Sequence, residues 1–189
     1  MKPFDESTPL YFVSKFPHRP AGIVQPGKWG AEYEESYFSG RQAQGDPWLL
    51  IIELAVENER LTSHPESPSR FRSTYACASL DAAKSFTASK MWGSAAPLTI
   101  WSCKHEHPDK PKHVGTFTLF DNLRRFMSFS DAKKIAKNYW SADHSLDHAE
   151  VICESPLVLL NRVADFRPDT GWIVHPQPTV PLDSEAPKQ

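Results

Sequence analysis

Seventeen prolines against eight glycines, spread along 189 residues, divide this chain into short segments. Proline locks φ and removes a backbone donor, so it ends helices and is confined to turns and sheet edges. A long helical bundle is disfavoured, and short elements joined by rigid loops are expected. The length suits one domain. With 40% hydrophobic and 23% charged residues, the chain can bury a core without disulfides and lacks the profile of a disordered protein.

The net charge of −2 argues against nucleic-acid binding by bulk electrostatics and leaves only a local groove for it. Cys77, Cys103 and Cys153 are too few and too widely spaced for a disulfide framework; they read as reduced core residues of a cytosolic protein. The opening MKPFDESTPL lacks an apolar signal stretch. The longest apolar run, Trp48 to Val56, is interrupted by Glu53 and falls far short of the ~20 residues of a spanning helix. No membrane partner is expected. The expected location is cytoplasmic, with delivery into a host or competitor cell by a route that leaves no mark in the sequence as the alternative.

Residues 1–9 read as a flexible N-terminus, 10–175 as a single domain and 176–189 as a Pro-rich disordered tail. Leu10–Ser14 reads as a strand, and 17–47 as mostly loop with PGKWG (26–30) as its turn. Apolar residues at 48, 51, 52, 55 and 56 predict a buried helix over Trp48–Arg60. Arg70–Ala78 alternates as a buried strand, and Ser79 caps a helix whose inner face is Ala82, Ala83 and Phe86. Leu98–Cys103 and Val114–Phe120 read as strands, Ser130 as the cap of a helix ending at Trp140, and Glu150–Cys153 and Leu157–Val163 as the last strands. The sum is a mixed α+β domain of about six strands and three helices.

The chain has no P-loop, GxGxxG, GxSxG or HExxH motif. Cys103, His105, His107 and His113 have metal-like spacing, as do His144 and His148, but Pro108, Pro111 and the neighbouring lysines read as a solvated loop, and no metal is expected. Arg70 and Arg72 alternate on the expected strand beside Ser69, Ser73 and Thr74. Forked donors and hydroxyls on one face suit a phosphate or pyrophosphate, with a solvated edge strand as the plain alternative. Glu150 follows a polar segment and opens an apolar strand, which places it at a strand mouth. A carboxylate facing a cleft there can hold a sugar hydroxyl and stabilise positive charge at an anomeric carbon. A solvated strand-end glutamate is the alternative, and Glu154 carries a weaker form of the same argument.

Taken in order, the LYFVS strand, the segment PSRFRSTYACASLDAAKSF and the YW helix end followed by AEVICESPLVLL resemble the ADP-ribosyltransferase-like superfamily, most closely a poorly characterised bacterial family within it. The resemblance spans residues 10–163. It implies an α+β fold with two small, mainly antiparallel sheets and flanking helices around an NAD cleft, with NAD as substrate and no metal. It implies that Tyr75 stacks on nicotinamide over Ala82 and Ala83, that Ser73 or Thr74 takes a supporting polar role if the superfamily's other pattern applies, and that Glu150 holds the nicotinamide-ribose hydroxyl. Catalytic roles thus fall to Glu150 and Tyr75, and NAD contacts to Tyr11, Phe12, Ser14, Arg70, Arg72, Ser73, Thr74 and Tyr75. Phe12 departs from the His or Arg usual in the first region. Ser14, His18 or Arg19 replaces its hydrogen bonds, or NAD binds in a modified way, or transferase activity has been lost. The implied activity is mono-ADP-ribosyl transfer from NAD to a protein or nucleic-acid acceptor by a toxin, effector or anti-phage factor with an antitoxin or host target as partner. An NAD glycohydrolase and an inactive binding module on the same fold are the alternatives.

Overall fold

Strand alternation and one connected sheet organise the computed structural model, which describes residues 8–15, 18–38, 47–90, 97–121, 128–141 and 146–176. The strands are β1 (Leu10–Ser14), β2 (Ile23–Val24), β3 (Thr74–Cys77), β4 (Leu98–His105), β5 (Lys112–Thr116), β6 (Ala149–Cys153), β7 (Leu157–Arg167) and β8 (Gly171–Val174). They join in the order β2-β7-β4-β1-β3-β6-β5, with β8 also on β7, and every pairing is antiparallel. The α+β class is as expected, but the strands form one sheet in place of two small ones. The short links 154–156 and 106–111 let β7 and β5 continue directly from β6 and β4.

The helices are α1 (Lys28–Phe38), α2 (Pro47–Ser63), α3 (Leu80–Lys90) and α4 (Phe129–Trp140). Side chains of directly opposed residues share a face of the sheet. On one face, Tyr11, Val13, Cys77, Ile100 and Val163 pack with Ala82, Ala83 and Phe86 of α3. On the same face, Tyr75 and Ile152 pack with Ile52 and Val56 of α2 and with Ala136, Tyr139 and Trp140 of α4. The other face encloses a core of its own, built from Leu10, Ala76, Trp101, Val151 and Leu157 with Val24 and Val114 packed against it, so strands from both ends of the sheet meet there. Cys77, Cys103 and Cys153 are free and buried.

Four local expectations need correction. Among the described residues of 17–47, β2 and α1 stand where loop was expected. The periodic signal in α1 is aromatic: Trp29, Tyr33 and Tyr37 recur every fourth residue, with ring centroids 4.9 and 5.3 Å apart. Gly27, at φ 84°, turns the chain into this helix. Arg70–Arg72 is a single 3₁₀ turn rather than the start of a strand, closed by Arg72 N–H to Ser69 O and by Ser73 Oγ to Ser69 O. Phe117–Phe120 is likewise a 3₁₀ turn following β5. The cap of α4 is Ser128, whose hydroxyl accepts from Asp131 N–H while the Asp131 carboxylate accepts from Ser128 N–H, a reciprocal pair that Ser130 cannot form.

The Ser79 cap is present, its hydroxyl accepting from Ala82 N–H. No helix among the described residues is long and apolar enough to cross a membrane. The expected flexible N-terminus and Pro-rich tail fall largely on residues 1–7 and 177–189, outside the described residues.

Candidate functional site

The site is built around a buried arginine. The segment leading to it is held by Arg60 of α2, whose guanidinium donates to Pro65 O and Ser67 O, each at 3.2 Å. Glu57 accepts from both Arg60 and Ser69 Oγ, tying the end of that segment to α2. α1 also lies so close to the 3₁₀ turn that a Cβ on Gly30 would sit 2.4 Å from Phe71 O. Held by these helices, the turn directs Arg70 inward, where it is 4% exposed.

Arg70 meets two carboxylates from distant parts of the chain. Glu53 of α2, 1% exposed, accepts Nε at 2.8 Å and Nη2 at 3.0 Å, a forked pair along one edge of the guanidinium. Nη1 donates to Glu150 Oε1 on β6. The guanidinium carbon lies 4.3 Å from the Phe120 ring centroid, 4.6 Å from Tyr139 and 5.1 Å from Tyr75. The Tyr75 hydroxyl donates to Arg70 O at 2.6 Å, and the Trp29 indole N–H donates to Glu53 Oε1 at 3.3 Å. Burial works against the guanidinium charge, but Glu150 and Glu53 outweigh it and raise the arginine pKa well above its ordinary value. Burial pushes the Tyr75 and Tyr139 phenols well up, with Arg70 pulling the other way, so both stay protonated.

Sheet register places the sequence-predicted residues. Tyr11 opposes Cys77, Cys77 opposes Glu150, and Glu150 opposes Gly115, so these four form one row across β1, β3, β6 and β5. Tyr75 lies two residues from Cys77 on the same face, opposite Ile152. The residues of β1 that share this face are therefore Tyr11 and Val13. Phe12 lies on the other face, packed against that core with its ring edge-on to His18, and Ser14 shares its side of the strand. Glu150 is not at an open strand mouth. It is the second residue of β6, 5% exposed, with Arg70 on its carboxylate.

The expected arginine pair comes apart. Arg70 is buried, whereas the Arg72 side chain is 64% exposed and donates to Glu154 at 3.0 and 3.2 Å. Ser73 and Thr74 direct their hydroxyls to backbone carbonyls, Ser73 to Ser69 O and Thr74 to Cys153 O and Ser155 O. Glu154 also accepts from Ser69 N–H and so fastens the turn to the end of β6. Among the expected metal candidates, His113 Nε2 lies 2.9 Å from Tyr139 O and its ring sits against Trp140, while His107 is exposed. His144 lies outside the described residues. Among the described residues, no group of three or more His, Cys, Asp or Glu could hold a metal ion.

A family model described as protein of unknown function DUF2441 matches residues 32–165. The chain belongs to the DUF2441 family. No curated protein matches it. The DUF2441 match takes in Glu53, Arg70, Tyr75, Tyr139 and Glu150 together, and begins after β1 and Trp29.

Glu53, Gly115 and Tyr139 have no site role at the level of sequence. For Glu53 a signal is present: a single carboxylate on the buried face of an apolar helix demands a cation or a proton. For the other two the sequence carries no such mark.

Proposed function

We propose that the chain is an NAD-dependent ADP-ribosyltransferase that cleaves the nicotinamide–ribose bond and transfers ADP-ribose to a protein or nucleic-acid acceptor. One observation carries the reading: Tyr11, Tyr75 and Glu150 lie on one face of three adjacent strands, β1, β3 and β6. Those strands bear the three regions on which the resemblance rests. Loss of nicotinamide leaves an oxocarbenium-like ribose, which needs an anion placed in advance and an aromatic wall that orients the leaving ring, more than acid–base machinery. Glu150 is the anion in this reading and Tyr75 the wall. Two carboxylates share one guanidinium, so the formal charge of the group is negative, which suits a cationic nicotinamide ring. Arg70 then serves Glu150 rather than the pyrophosphate.

The test is nicotinamide release from labelled NAD by wild type and Glu150→Gln, in buffer and in lysate. Release that falls ~10²-fold or more in Glu150→Gln is expected, with label on lysate protein or nucleic acid. Release without label transfer would make the protein an NAD glycohydrolase. Release unchanged by Glu150→Gln would remove Glu150 from the chemistry.

A second reading, an inactive binding module, is favoured by a specific observation: the Glu150 carboxylate is buried and already engaged by Arg70. It predicts that NAD raises the melting temperature by binding linkage while no nicotinamide is released.

A further inference from the structure

We infer that Glu53 is a positioning residue for Glu150, acting through Arg70; the inference rests on the reading of Glu150 as the carboxylate that faces the ribose. Glu53 holds the Nε and Nη2 edge of the guanidinium and leaves Nη1 for Glu150. A guanidinium is planar, so fixing one edge fixes the direction in which the remaining nitrogen points. The rings of Phe120 and Tyr139 lie 4.3 and 4.6 Å from its central carbon and hold that plane. Glu53 is itself fixed by the Trp29 indole at 3.3 Å and by its place between Ile52 and Val56, both fully buried. The Glu150 carboxylate thus takes its position from α2 as well as from its own strand.

Charge arithmetic separates this role from plain structural pairing. One carboxylate neutralises one buried guanidinium. A second adds desolvation cost and leaves the group net negative, and packing alone gives no reason to bury it. A surplus carboxylate that grips the edge of the fork away from Glu150 has a geometric consequence: it removes the freedom of Arg70 to rotate off Glu150.

The experiment compares wild type, Glu53→Gln and Trp29→Phe in steady-state nicotinamide release. Glu53→Gln keeps the side-chain shape but loses an acceptor for the fork. Its kcat is expected to fall by about 10- to 100-fold with KM within about twofold, because misplacement of a reacting group lowers the rate without weakening ground-state binding. Trp29→Phe, which removes the indole donor along with part of the ring that packs on Tyr33, is expected to shift kcat in the same direction by a smaller factor. A folded Glu53→Gln with unchanged kcat, or with only KM raised, would overturn the inference.

A measurement independent of turnover accompanies it: urea unfolding of Glu53→Gln, Glu150→Gln and the double variant, each with Arg70 and in the Arg70→Met background. With Arg70 present, the double variant is expected to lose about tenfold more in its unfolding constant than the two singles combined, because only it strips Arg70 of both partners. In the Arg70→Met background that coupling should shrink to the direct repulsion of the two carboxylates, which has the same sign because the double variant relieves it only once, and an undiminished coupling there would refute the route through Arg70. Additive singles with Arg70 present would refute the coupling. A wild type that releases no nicotinamide would refute the enzymatic reading and with it the catalytic part of Glu53's role, while the unfolding cycle still decides whether Glu53 and Glu150 act on each other through Arg70.

Discussion

Gly115 and Tyr139 fit together only because position 115 carries no side chain. A Cβ there would lie 2.3 Å from Tyr139 Cε2 and 2.8 Å from its hydroxyl. Gly115 stands opposite Glu150 on the neighbouring strand, so the gap in β5 is what lets a fully buried phenol ring lie against the sheet beside Glu150 and Arg70. Gly115→Ala is expected to destabilise the fold by about 1–3 kcal/mol, the usual cost of overpacking. Urea denaturation would check it, and a cost below about 0.5 kcal/mol would mean that the ring finds another seat.

The Glu53–Arg70–Glu150 group predicts an asymmetry between breaking a buried ionic group and replacing it. Arg70→Met leaves two buried carboxylates without a cation and should cost about 3–5 kcal/mol. Replacing all three members with apolar residues of similar volume should recover most of that loss, because no charge is then buried. Chemical denaturation of both variants is the check. An Arg70→Met variant as stable as wild type would contradict the burial and pairing of all three groups.

Tyr75 has two separable parts. Its hydroxyl donates to Arg70 O at 2.6 Å, which helps shape the 3₁₀ turn. Tyr75→Phe leaves that carbonyl with only the longer bond from Ser73 N–H at 3.5 Å and should cost about 0.5–1.5 kcal/mol of stability, while a stacking face for nicotinamide is retained. Tyr75→Ala should also weaken NAD affinity. Equal NAD-induced melting shifts in Tyr75→Phe and Tyr75→Ala would show that the ring does not face the ligand.

Acid should destabilise the protein partly through Asp165. Burial acts to raise its pKa, but hydrogen bonds from His175, Arg162 and Thr99 outweigh burial and hold it below the usual carboxylate value. A carboxylate depressed by folding contributes stability that is complete above its unfolded pKa and is lost as pH falls through its folded pKa. Glu154, lowered by Arg72 and Ser69 N–H against its own burial, acts in the same direction. Melting temperature should therefore fall as pH drops below about 5, and Asp165→Asn should flatten that limb while lowering stability at neutral pH. A parallel pH profile for Asp165→Asn and wild type would exclude Asp165 from acid unfolding.

Hydrophobic periodicity read α2, β4, β6 and most of β7 correctly, because in each the apolar pattern coincides with the buried face. The same rule misread 70–72. Residues two apart on a strand share a face, whereas in a 3₁₀ turn they point roughly 120° apart. Whether Arg70 and Arg72 sit together thus depends on a backbone choice made by contacts to α1 and α2 that lie far away in sequence.

What the sequence determined alone is the α+β class, the main buried elements, the reduced cysteines in the core, and the anomaly of Glu53 within an apolar run. Only the tertiary structure decided how that anomaly is resolved. Arg70 and Glu150 lie 17 and 97 positions beyond Glu53, and they meet because β3 pairs with β6 beneath α2 and α4. Periodicity is a property of neighbouring residues and can be read along the chain. The pairing of buried charges depends on distances through space, so it is settled only when the sheet has closed.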